Sequence, residues 1–206
     1  MFVGISISVD GYPNYLRYQK WLVVLGIVLY IPFVASNVIN TALPGYVQEH
    51  LHGNSVNYGA IDTMYGIGAC LAGFLLPLLA KRITENKLIV TFLFSALILG
   101  GILVLNQSLV MTAGYIFALG LVGPAVRTIV YTKAMQIVPE HLLSSLVSFW
   151  NFINLICQFI ANYFVGKIMD GVGAQWGFSV YALLMLVGLS LFFSIQSNYS
   201  RGSRDT

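Results

Sequence analysis

The sequence predicts an all-α membrane protein: six transmembrane helices set out as two inverted three-helix repeats, with the N- and C-termini both cytoplasmic. Three observations predict it. Of 206 residues, 58% are hydrophobic and 8% charged, with a mean hydropathy of +0.82, whereas a soluble globular chain carries roughly 25% charged residues. Apolar stretches recur at a bilayer-crossing length of about 20 residues, and six of them with short connections use up the chain, leaving no soluble domain of useful size. The basic residues also partition. With the N-terminus inside, Arg17, Lys20, Lys81, Arg82, Lys87, Arg127, Lys133, Arg201 and Arg204 fall on the inner side and Lys167 on the outer, nine against one. That is the positive-inside bias, and an even number of spans brings the C-terminus back to the cytoplasm. The net charge of +3 then reflects orientation and asks for no nucleic acid. The expected location is the cell (plasma or inner) membrane, as a multi-pass protein.

Residues 1–20 mix Gly, Pro, Tyr and Ser and form an expected cytoplasmic segment. Their short apolar opening has no basic residue ahead of it, so no cleaved signal is expected. The bundle is expected over 21–196. Its first span, about 21–46, is interrupted by Pro32 and ended by Pro44 and Gly45. Tyr30, Phe33, Asn37, Asn40, Thr41 and Pro44 share one face of it, a mixed aromatic and polar wall. The next loop carries Glu49, His50 and His52, which without further ligands make no metal site.

The second span, about 58–80, has Gly59, Gly66, Cys70, Gly73 and Pro77 along one stripe, with Asp62 and Tyr65 beside it. Small residues at this spacing predict close approach of two helix backbones. Lys81, Arg82 and Lys87 follow in a tight loop. The third span, about 88–105, has Thr91 and Ser95 as its polar content, which suits a helix facing lipid. Asn106-Gln107-Ser108 matches a glycosylation acceptor pattern but lies too close to the membrane to count. The fourth span, about 109–131, contains Gly114, Gly120, Gly123 and Pro124, with Arg127 one turn later. Pro32, Gly123 and Pro124 are the expected helix bends, since Pro frees a carbonyl and nearby Gly eases bending. A connector from Lys133 to Ser145 leads to the fifth span, about 146–167. The sixth, about 176–195, is nearly featureless, and 197–206 form a cytoplasmic tail. Cys70 and Cys157 fall in apolar helix and read as buried small residues, silent on redox compartment.

The fifth span organises the rest. Ser148, Asn151, Asn154, Gln158 and Asn162 recur at steps of three and four and so share a face. Unsatisfied amides in hydrocarbon cost several kcal/mol each, so that face must look at protein or water. Interhelical bonding is one explanation, worth about 0.6 kcal/mol per bond. Four amides in a row exceed what one neighbour requires, which favours the wall of a substrate cavity formed by Asn151, Asn154, Gln158 and Asn162, with Asn37, Asn40 and Tyr65. Asp62 is an intramembrane carboxylate and the candidate for proton coupling; the plainer reading is an interfacial residue meeting water. Arg127 is the charge or gate candidate, able to pair with an anionic substrate or a carboxylate, or to snorkel to the inner headgroups, the reading its position favours. Spans one, two, four and five are rich in polar residues, Pro and Gly, while three and six are poor. A triplet that starts inside ends outside, so its successor runs inverted, as in repeat-built transporters.

The stretch NYGAIDTMYGIGACLAGFLLPLLAKR resembles the second helix and basic loop of the C-terminal half of a major facilitator superfamily transporter. The stretch GYIFALGLVGPAVRTIVYTKAMQIVPEHLLSSLVSFWNFINL resembles that half's fourth and fifth helices in drug, siderophore and macrolide exporters, with a Gly-Pro bend, a Val-Pro connector and a polar fifth helix. The resemblance covers about residues 14–196, with residues 1–20 similar to the end of the linker between halves. Ser144 and Ser145 stand where such exporters usually have Gly-Arg, and the basic loop lacks the Asp and Gly of the signature loop. The resemblance implies half of a major facilitator fold, no cofactor, and proton-driven efflux of a drug-like, amphipathic small molecule. It also implies a second six-helix bundle as partner, either another copy or a complementary half. No nucleotide-binding, zinc-protease or serine-protease motif is present, and no enzymatic activity is expected. The alternative is a truncated, non-transporting remnant or a membrane interaction subunit.

Overall fold

The structure is a computed structural model and describes residues 31–137 and 140–202. The expected N-terminal segment, the first ten residues of the first span and Pro139 lie outside the described residues. The chain is helical throughout them: α1 over 31–45, a π-helical turn Tyr46–His50, α2 Ser55–Ala80, α3 Glu85–Leu105, α4 Leu109–Ile137, α5 Glu140–Val172, a 3-10 turn Ala174–Trp176, and α6 Gly177–Gly202. Five of these, α2 to α6, contain stretches long and apolar enough to cross a membrane.

Local chemistry sets the helix ends. The Asn54 side chain accepts from the Asn57 backbone N–H at 3.0 Å, and the Asn57 side chain accepts from the Asn54 N–H at 3.2 Å. This reciprocal cap satisfies two otherwise orphaned donors and starts α2 ahead of its expected span. The Leu79 carbonyl accepts from Arg82 and Ile83, closing the basic turn before α3. Past Pro44 and Gly45 the chain widens into the π-turn, the Leu51 N–H donating to the Tyr46 carbonyl at 3.1 Å, rather than leaving helical geometry.

That turn pins one end of the bundle. The Tyr46 hydroxyl shares its proton between the carbonyls of Leu103 at 2.8 Å and Asn106 at 2.9 Å, and His50 Nε2 bonds the Asn106 carbonyl at 3.0 Å. The Asn106 amide donates to Thr112 Oγ1 at 2.7 Å and to the Ser108 carbonyl at 3.0 Å, so its nitrogen is engaged inside the turn between α3 and α4.

α1 is the axis of the bundle. Ala35, Val38 and Ala42 are fully buried, and the helix with its turn touches all five companions. Ser36 meets Tyr65 on α2, Tyr46 reaches Leu103 at the end of α3, and Phe33 lies under Arg127 of α4. Thr41 bonds Asn162 of α5, and the Tyr46 ring packs edge-on against Phe178 of α6, centroids 4.9 Å apart. Around this axis α2 packs along α4, and α3 along α6.

Several expectations need correction. The close approach of α2 runs through Gly68 and Ala72, not through the stripe of Gly59, Gly66, Cys70, Gly73 and Pro77. A Cβ on Gly68 would collide with the Phe117 carbonyl and one on Gly120 with the Tyr65 carbonyl, whereas at Gly59, Gly66 and Gly73 it would meet nothing within 4 Å. Both faces of α2 carry small residues, so spacing did not distinguish them. Cys70 and Cys157 are exposed rather than buried, because both lie on faces turned away from the bundle. The bland α3 is better covered than α2: 33% of its most apolar stretch is buried against 17%. Leu88, Ile89, Leu93, Ala96 and Leu103 on one side of it enter the core. The connector expected from Lys133 to Ser145 is taken up by helix, α4 continuing to Ile137 and α5 beginning at Glu140.

Candidate functional site

The site is built on the one side of α1 that the bundle leaves open. Phe33, Asn37, Asn40, Thr41 and Pro44 stand at steps of three and four and so form one stripe. Asn40, Thr41 and Pro44 are exposed and Phe33 and Asn37 half-buried, while Val34, Ala35, Val38, Ile39, Ala42 and Leu43 point inward. The stripe is tied along its length. Asn37 Nδ2 donates to the Phe33 carbonyl at 2.9 Å, and Thr41 Oγ1 donates to the Asn37 carbonyl at 3.2 Å or to Asn162 Oδ1 at 3.1 Å. Thr41 has one proton for these two acceptors, so its link to α5 alternates with a bond to its own helix.

α2 and α4 flank one edge. The Tyr65 hydroxyl faces Ser36, whose own proton goes to the Pro32 carbonyl at 2.9 Å. Gly123 backs this pair: a Cβ there would lie 3.3 Å from Ser36 Oγ and 3.7 Å from the Tyr65 hydroxyl. One turn on, the exposed Arg127 lays its guanidinium over the Phe33 ring, Cζ 4.2 Å from the centroid. It reaches across to α1. Asp62 is exposed one turn from Tyr65, and both charges act on the Tyr65 hydroxyl. α4 runs unbroken through Pro124, and Thr128 Oγ1 donates to the Pro124 carbonyl at 2.9 Å.

α5 flanks the other edge, and its amides divide by depth. Asn151 is exposed, Gln158 and Asn162 half-buried, and Asn154 only 3% exposed. Asn154 Oδ1 has no hydrogen-bond partner. Its inward position arises because Trp150, Asn154, Ala161 and Val165 recur along the buried seam of α5, with the other three amides on the edge of that seam. The structure thus joins Asn37 and Asn162 through Thr41, and Tyr65 and Arg127 around Ser36 and Phe33. Sequence reasoning had Thr41 and Phe33 on the wall without a role and missed Ser36, which a three-residue step from Phe33 could have flagged.

α2 and α5 are also the least covered helices, each with 17% of its most apolar stretch buried against 44% in α4. On α2 the exposed surface splits in two. One flank carries Asp62, Gly66, Cys70 and Gly73, the other Ile67, Leu71, Phe74 and Leu78. A large apolar flank suits lipid tails, and a small polar one does not.

A multi-helix bundle whose axial helix turns one polar stripe outward belongs to the class of polytopic membrane transport proteins. The sequence model of the Major Facilitator Superfamily matches residues 23–205, and the chain belongs to that family. Its members are transporters, which accounts for a chain of apolar helices organised around a polar wall. A search of the curated proteins gave no match.

Proposed function

We propose that this chain moves a small amphipathic, drug-like molecule across the cell membrane by proton-coupled efflux, working with a second six-helix bundle. One observation carries the reading: over its described residues α1 is the most enclosed helix, yet its one open side carries Asn37, Asn40 and Thr41 between Phe33 and Pro44. A buried axis gains nothing in stability by presenting amides to lipid, so the stripe belongs to a wetted pathway. Asn37, Asn40, Asn151, Gln158 and Asn162 form its wall, with Tyr65 and Arg127 on the opposite flank. Asn154, buried with an unpaired oxygen, gains a partner when the seam between α1 and α5 opens to water. Asp62 is the coupling carboxylate. The partner bundle covers the small polar flank of α2 and the amide edge of α5.

The test is export from proteoliposomes with an imposed proton gradient, combined with thiol labelling from water. After replacement of the exposed Cys70 and Cys157, a Cys at position 40 or 158 reacts with a charged maleimide, and a Cys at 156 or 163 does not. Protection of 40 and 158 during export would remove the pathway.

A further inference from the structure

The unabsorbed feature of this wall is the pairing of Arg127 with Phe33. Arg127 lies inside the apolar stretch Leu109–Ile129, where a guanidinium is expensive and marks a functional site by default. Side chains on a helix lean toward its N-terminus, so Arg127 leans toward the Leu109 end and the middle of the span. The Phe33 ring lies under the guanidinium, Cζ 4.2 Å from the ring centroid, and holds the charge there. The N–H donors lie in the guanidinium plane, in a fork that matches the two oxygens of a carboxylate or phosphate. Among the described residues no carboxylate forms an ion pair with Arg127. Asp62 sits a turn away from Tyr65 toward the start of α2, and places the opposite charge at the other end of the same wall.

We propose that Arg127, held on Phe33, is the anion-recognition point of this cavity, and that the cargo carries an acidic group on a flat apolar body. The assignment rests on the transport reading above and narrows it to a substrate class. The acidic group takes the guanidinium edge in a bidentate grip, and the flat body lies against the α1 stripe that begins at Phe33. A lipid headgroup phosphate offers the same chemistry, so the test separates the two sources.

The probes are fluorescein and rhodamine 6G, which share a xanthene ring and carry opposite charge. Binding is read by anisotropy with the protein in phosphatidylcholine nanodiscs, empty discs subtracted. Wild-type protein binds fluorescein the tighter. Arg127→Gln weakens fluorescein about ten- to hundredfold, the size of a charge-assisted contact, and leaves rhodamine 6G within about twofold. Arg127→Lys retains part of the affinity, keeping the charge without the fork, and is the reserve variant should Arg127→Gln not fold. Unchanged fluorescein binding in Arg127→Gln overturns the assignment while the cavity stands. Equal loss of both dyes overturns it as well. If Arg127→Gln alters only stabilisation by added phosphatidylglycerol, the group holds a lipid and the assignment fails. Failure of wild-type protein to bind both dyes removes the cavity reading together with the proposal.

Discussion

Gly120 of α4 rests directly against the backbone carbonyl of Tyr65 on α2, with no room for a methyl group between them. The contact lets the two helix backbones approach and brings Tyr65 within reach of Ser36. Gly120→Ala should therefore destabilise the bundle by about 1–3 kcal/mol, the usual cost of overpacking. Gly66→Ala, where a Cβ meets nothing within 4 Å, should be neutral or gain the helix propensity of Ala, up to about 1 kcal/mol. Unfolding in mixed detergent micelles measures both, and equal losses would place the crossing elsewhere.

Tyr46→Phe removes the hydroxyl that serves the Leu103 and Asn106 carbonyls. A loss of about 1–2 kcal/mol is expected, with faster amide exchange confined to the turn between α3 and α4. Exchange rising evenly over all helices would contradict a local pin.

Asn154→Leu should separate stability from activity. Removing a buried acceptor that has no partner should raise unfolding stability by about 1 kcal/mol. Transport should fall, because the seam loses the group that water solvates on opening. A stable variant with undiminished export would make Asn154 a packing residue.

Thr41→Val deletes the bond to Asn162, which already competes with the Asn37 carbonyl for one proton. The change in stability should stay within about 0.6 kcal/mol, the average for such bonds in membranes. A loss several times larger in the same unfolding titration would show that α1 and α5 are locked together.

Much of the helix order was legible in the sequence, because spans are written in a coarse code: runs of apolar residues broken by Gly, Pro and charge. The open stripe of α1 was legible for a related reason, since amides at helical spacing stand out in an apolar run. The glycine contacts were not. Gly66 and Gly68 lie two residues apart, on opposite sides of α2, and lipid is as apolar as the core, so hydrophobicity does not say which side turns inward. The burial of Asn154 was hidden for the converse reason: its spacing places it with three other amides, and only the buried run of Trp150, Ala161 and Val165 draws it inward. The stacking of Arg127 on Phe33 joins residues 94 positions apart, a relation that no local pattern encodes.

A rod in contact with all five companions leaves the bundle little internal give beyond the weakly tied α1–α5 seam. Any tilt of α1 drags on every neighbour at once, so shape change is pushed to the perimeter, where α2 and α5 carry little cover. Engineering aimed at turnover should therefore begin at that rim, since stiffening the axis would only reinforce what already travels as a single block.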